Sequence, residues 1–181
     1  MIETLRSNFV RCMVVSVVAF WFAAALGAQT PEWKSYSYPA DGFSASYPSE
    51  PEQQKRDIPT DAGSFELRSY ITQVSPVALF IGVCDYGSAA AGQEPAKMLQ
   101  GAENGAMENS HSHLVREKKI TLGIYQGVEF ESESDTLHFT ARIYIVGTTL
   151  YQTLVVTPLG QQYASTTRFL DSFQLIARVA K

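Results

Sequence analysis

The sequence predicts an α+β domain in which one antiparallel β-sheet of about seven or eight strands carries helices packed on its faces. Short apolar or alternating segments recur along the chain and are separated by glycine, proline and polar turns, a spacing typical of strands. Two segments with helical spacing interrupt these strands. Several strands are apolar on both faces, and helices on both sides of a sheet would cover such strands.

A leader precedes this predicted domain. Arg6 and Arg11 come before an apolar run of roughly 16 residues, and Gly27-Ala28 follows it. This order is typical of a secretory signal peptide, and the run is shorter than the ~20 residues that span a bilayer. We expect cleavage after Ala28, with a retained anchor as the alternative. A single domain of about 153 residues, 29–181, would then be exported to the periplasm or the extracellular space.

Composition and cysteine content narrow the possible functions. The chain has 18 acidic and 14 basic residues, and loss of the leader would leave a net charge of about −5, which argues against nucleic-acid binding. Cys12 lies before the apolar run, so we expect no lipid-anchored cysteine. Cys84 is then the only remaining cysteine, and it lies in an apolar segment typical of a core strand. The fold must therefore be stabilised by its apolar core and not by an internal disulfide.

The first half of the domain is predicted to be mostly strand. Segments 33–38 and 43–47 alternate aromatic and small residues, and a Pro-Ala-Asp-Gly turn joins them. Residues 49–63 are polar and contain proline, which favours an exposed loop. Segments 65–74 and 77–84 are predicted strands, and 77–84 is apolar on both faces. That strand is therefore expected to lie in the centre of the sheet.

The second half combines two predicted helices with the clearest strands. Pro95 fits the first turn of a helix that would extend to about Glu108. A second helix is expected from Gly160 to about Leu170. Between them we predict four strands, at 114–122, 125–133, 137–146 and 150–156. The short connections between these strands favour antiparallel neighbours.

Three histidines are the candidate metal ligands of the chain. His111 and His113 lie two positions apart, so in a strand both imidazoles would share a face. His138 would be a third ligand if its strand lay alongside. Exposed polar residues at a strand start are the more common arrangement, and a metal site needs three or four ligands in a defined geometry. We therefore expect no metal or other cofactor.

Charged and aromatic side chains offer two further candidate surfaces. Glu129, Glu131 and Glu133 would form an acidic row on one strand face, opposite Arg116, Lys118 and Lys119. Cross-strand ion pairing is the structural explanation; a cation-binding patch or a docking surface for a basic partner is the functional alternative. The aromatic residues of the first hairpin would be core or line a groove. These residues are Tyr36, Tyr38, Phe43 and Tyr47.

No segment carries the motifs of common catalytic sites. The sequence has no Gly-x-Ser-x-Gly elbow, no phosphate-binding loop, no His-Glu-x-x-His and no Cys-x-x-Cys. We therefore expect a protein that is not an enzyme, although paired carboxylates need no local motif.

Four passages resemble the PsbP-like domain family. The resemblance lies in 33–48, 122–129, 142–152 and 169–173, which are similar to the first hairpin, a strand–glycine–strand passage, the late hairpin and the end of the closing helix. This family includes an extrinsic subunit of photosystem II, a nuclear Ran-binding protein and many bacterial envelope proteins. The resemblance implies an α/β/α sandwich and no shared catalytic residue.

The resemblance also implies a function, because known members of the family act mainly by docking to other proteins. We therefore expect an exported, non-catalytic domain that docks to an unidentified envelope protein or assists its assembly. The alternative is an extracytoplasmic protein that binds a small molecule or a metal. Docking predicts an exposed surface of mixed apolar and charged residues.

Overall fold

The computed structural model describes residues 32–60 and 63–179. The predicted signal peptide and its cleavage after Ala28 lie outside these residues. In chain order the described elements are β1 (Lys34–Tyr38), β2 (Phe43–Tyr47), β3 (Glu52–Thr60), β4 (Gly63–Val74), β5 (Val77–Asp85), α1 (Pro95–Ser110), β6 (His113–Leu122), β7 (Tyr125–Glu133), β8 (Leu137–Val146), β9 (Thr149–Pro158), α2 (Thr166–Asp171) and β10 (Gln174–Leu175).

The strands form two antiparallel sheets. The large sheet has seven strands in the order β3-β4-β5-β9-β8-β7-β6, and the small sheet has three in the order β1-β2-β10. β5 lies inside the large sheet, as its two apolar faces predicted, and β3 and β6 form the two edges. The α+β class with a seven-strand antiparallel sheet is confirmed.

Alternation along β8 and β9 builds a core on each face of the large sheet. On one face, Ala141 and Ile143 pack with Leu99 of α1. On the other face, Tyr144 and Tyr151 pack with Phe169 of α2 and with the aromatic residues of the small sheet. Helices therefore cover both faces, as predicted, and the small sheet shares the second face with α2.

The prediction of an exposed loop at 49–63 is wrong, because Glu52–Thr60 forms strand β3. β3 is an edge strand that pairs with β4, from Glu52 opposite Ile71 to Thr60 opposite Gly63. Its backbone makes the ladder while its charged side chains remain in water, and charged residues are common on edges because they prevent further strand pairing. An edge strand of this kind lacks the apolar alternation on which the prediction depended.

The two predicted helices differ in outcome. Pro95 occupies the first turn of α1, and the helix is confirmed with its end at Ser110. The second helix is shorter than expected, since α2 begins only at Thr166. Gly160 has a φ of 76°, in the left-handed region, so it forms a turn after β9 and cannot begin a helix.

Candidate docking surface

The edge strand β6 and the C-terminal half of α1 together form the most distinctive surface of the described residues. We call it the α1–β6 seam. Its surface residues are Asn104, Met107, Glu108 and His111 from the helix and its cap, and His113, Leu114, Val115, Glu117 and Lys119 from the strand; the buried Glu103 of α1 belongs to the same region. β6 pairs with β7 on one side only, so the backbone groups of its outer side have no partner strand within residues 32–60 and 63–179.

An open concavity of about 530 Å³ lies at one end of the seam. Met107 and Leu114 provide its apolar lining, and Asn104, Glu108 and the two histidines provide polar groups. Leu114 is 42% exposed and Val115 is 51% exposed. The seam thus combines exposed aliphatic side chains with charged ones, which is typical of docking surfaces.

A β-bulge in β6 determines the positions of Leu114 and Val115. The register of β6 against β7 shifts between Leu114 and Arg116, so Val115 is an extra residue without an opposite partner. Leu114 and Glu117 are then opposite Ser132 and Phe130, which lie only two positions apart on β7. Because Phe130 packs in the core beneath α1, Leu114 and Glu117 both lie on the sheet face that α1 covers.

Glu103 is the most unusual charged residue of the seam. It is only 6% exposed, and its Oε1 has no hydrogen-bond partner among the described residues. Glu117 shares this sheet face, since it is opposite Phe130 of the core beneath α1. Burial, and then the charge of Glu117, raise the pKa of Glu103 above its usual value. The described residues provide neither carboxylate with an ion-pair partner.

The opposite face of the same strands is electrostatically paired. Arg116 forms an ion pair with Glu131, and the Lys118 Nζ lies 2.8 Å from Glu129 Oε1. Arg142 of β8 lies 2.6 Å from Glu129 through its Nε. Burial alone would raise the pKa of Glu129, but the hydrogen bonds from Lys118 and Arg142 lower it below its usual value. The expected cross-strand pairing of the acidic row is present for these residues.

Lys119 does not take part in that pairing. It is opposite Val128, a core residue beneath α1, and so projects to the seam face with Glu117. On its seam face β6 thus presents one basic and one acidic residue, and α1 adds Glu103 and Glu108 nearby.

His111 and His113 both line the concavity, but His138 lies apart from them. His111 is not in a strand; it closes α1 in the left-handed conformation with a φ of 50°, so it does not share a strand face with His113. His138 lies on β8, separated from β6 by β7, and its Nδ1 is 3.1 Å from Glu133 Oε1. The described part of the chain contains no group of three or more potential metal-ligating side chains close enough to hold an ion.

The remaining candidates of the sequence lie in the interior. Cys84 is buried as a free thiol, and burial raises its pKa, so it has no feature of a reactive cysteine. Tyr47 and Phe43 are fully buried, while Tyr36 and Tyr38 pack against them. The aromatic hairpin is therefore core.

One interior polar cluster was not foreseen. The buried carboxylate of Asp41, in the β1–β2 turn, accepts hydrogen bonds from Arg68 and Tyr70 of β4. Tyr151 donates to the Asp41 backbone oxygen at 2.7 Å. These hydrogen bonds connect the small sheet to the large sheet. They join residues up to 110 positions apart, so no local pattern could have revealed them.

Comparisons with known proteins identify the fold. No family model matches the chain, and a search of curated proteins found no match. The solution structure of cyanobacterial PsbP (CyanoP) from Synechocystis sp. PCC 6803 matches with a TM-score of 0.56 and 12% identity, over 84% of this chain and 98% of that chain. A crystal structure from Bacteroides thetaiotaomicron VPI-5482 matches with a TM-score of 0.41 and 15% identity, over 78% of this chain and 48% of that chain.

No helix of the described residues is long and apolar enough to cross a membrane. At 12% identity the likeness to the cyanobacterial protein concerns the fold alone, and it agrees with the resemblance noted in the sequence. The protein has a PsbP-like fold.

Proposed function

We propose that this protein is an exported, non-catalytic domain that docks to another protein of the cell envelope through the α1–β6 seam. The observation that carries the proposal is an edge strand with exposed Leu114 and Val115 beside an open concavity. Side chains of this kind, rimmed by charge, are typical of interaction sites. The leader, with its basic start and apolar run, supports export.

The backbone of β6 supplies a second element of recognition. An extended segment of a partner can add to an exposed sheet edge through main-chain hydrogen bonds, while pockets for alternate side chains provide specificity. The concavity beside Leu114 is such a pocket. At the far edge of the sheet, β3 is lined by exposed polar and charged residues from Glu52 to Asp57, which makes it a suitable control surface.

Site-specific photo-crosslinking in the native host tests this function. A benzoylphenylalanine placed at Val115 should give a discrete adduct of higher mass in the envelope fraction. The same group at Gln54 of β3, which is also exposed, should give none. Identical adducts from both positions, or no adduct from Val115, would contradict docking through the seam.

Export is tested separately on the same cells. The exported protein should have an intact mass that corresponds to a start at or near Gln29. Recovery of the full-length chain from the cytoplasm would contradict export.

A further inference from the structure

The seam carries an unbalanced negative charge that points to the chemistry of the partner. Glu103, Glu108 and Glu117 lie along it, and none of them forms an ion pair with another described residue. Lys119 is the one lysine or arginine that the described residues place on this face of β6. The opposite face of the same strand pairs Arg116 and Lys118 with glutamates, so the imbalance belongs to the seam alone.

Glu103 is the strongest indication that the seam binds a cationic group. A carboxyl that is more than nine-tenths buried, with one oxygen unpartnered and a second carboxylate beside it, is costly unless a positive charge is supplied. The C-terminal end of α1 also favours a bound cation. Its last turn holds Glu108 and no basic residue, although cations are favoured at a helix C-terminus.

We propose that the seam binds an extended basic segment of the partner, which adds to β6 and carries lysine or arginine at alternate positions. One basic side chain enters the concavity, with its aliphatic stem on Met107 and Leu114 and its charge toward Glu108. The other lies over Glu117 and Glu103. This inference rests on the proposed docking function and names the partner chemistry.

The geometry of the bulge determines the spacing of the basic residues in the partner segment. Because of the register shift, Leu114 and Glu117 occupy pairing positions that are two residues apart on β7, a distance of roughly 7 Å. Alternate residues of a strand paired to the outer side of β6 project to one face at the same interval. A basic-x-basic segment can therefore place one basic side chain over Glu117 and the other at Leu114, beside the concavity that Glu108 lines, and Lys119 disfavours a third basic residue beyond them.

A second copy of this chain that pairs about the charged middle of β6 is a poor occupant. In an antiparallel, two-fold pairing of two β6 strands, the residue at the centre faces itself. Centres at Arg116, Glu117, Lys118 or Lys119 would each place like charges directly opposite, which is destabilising. A strand of different sequence, with basic residues opposite the acidic ones, avoids this repulsion.

The test uses short peptides and the purified protein. Acetyl-Arg-Thr-Arg-amide is titrated and followed by amide chemical shifts, with acetyl-Ala-Thr-Ala-amide and acetyl-Glu-Thr-Glu-amide as matched controls. We expect saturable shifts in residues 103–119 for the arginine peptide alone. E117Q and E108Q should each weaken its affinity about two- to fivefold, as expected for an exposed ion pair. E94Q should leave it unchanged, since Glu94 pairs with Lys97 at the other end of α1.

The outcomes separate this inference from the docking function. Equal shifts with the alanine peptide, or no shifts with any peptide, overturn the basic partner even if Val115 crosslinks in the envelope. Tighter saturation of the same amides by magnesium or calcium chloride also overturns it, because the seam would then be an ion site. Arginine-selective binding without any crosslink at Val115 supports the seam chemistry and contradicts the docking function.

Discussion

Replacement of Glu103 by glutamine should stabilise the protein at neutral pH. Glutamine has nearly the shape of glutamate, so the packing of α1 changes little while the buried charge is removed. A buried group without its hydrogen bond costs about 1–3 kcal/mol, and more when it is charged. Because glutamine keeps some of that cost, we expect a gain of about 1 kcal/mol, or roughly 2–4 °C in Tm for a domain of this size.

The pH dependence of this gain follows from the direction of the pKa shift. Burial and Glu117 raise the pKa of Glu103, so the folded chain retains this proton to a higher pH than the unfolded chain does. The contribution of the protonated carboxyl is full below the unfolded pKa of about 4.3 and is lost as the pH rises through the folded pKa. Glu117 and Lys119 face the site from β6, whereas β7 and β8 present apolar side chains. The advantage of E103Q should therefore be present at pH 7 and disappear near pH 4.

Urea unfolding of the wild type, E103Q and E108Q at the two pH values measures this effect. E108Q is the matched control, because Glu108 is exposed on the same helix, and its effect should remain within about 0.5 kcal/mol. A destabilised E103Q at pH 7, or a gain of the same size at both pH values, would refute the reasoning.

Four further substitutions test the fold and its ion pairs. G127A should destabilise the protein by about 1–3 kcal/mol in urea unfolding, because its Cβ would lie 2.5 Å from Tyr144 Cδ1; G101A, which meets open space on α1, should be neutral or stabilising. F169A removes a side chain that is 0% exposed and should lower stability by about 3–5 kcal/mol; a smaller loss would contradict its place in the core. E129Q should be destabilising at pH 7 and its effect should shrink as the pH falls through the lowered pKa of Glu129, which unfolding at several pH values would reveal.

The strands of the large sheet could be predicted where the alternation of side chains indicates which residues are buried on each face. Ile143 and Ile145 alternate with Tyr144 along β8, and the structure packs them on opposite faces. The start of α1 could also be predicted locally, because Pro95 fits the first turn of a helix. Signals of this kind are contained in a few neighbouring residues.

The rest depended on contacts between distant residues. β3 is held by backbone pairing with β4, so its polar side chains gave no sign of a strand. The exposed state of Leu114 and Val115 follows from the position of β6 at the sheet edge, which the alternation of a strand does not reveal. Glu103 lies on a helix whose buried stripe was read from its apolar residues, so an acidic residue within that stripe was missed.

The size of the native assembly tests the docking surface most directly. In gently solubilised envelopes the wild-type protein should migrate as a complex larger than its own mass. V115K places a positive charge on an exposed residue of the seam, so it should leave the fold intact and repel the basic partner. We expect V115K to migrate as the free protein. A wild-type protein that is already free, or a V115K variant that retains the complex, would contradict the account.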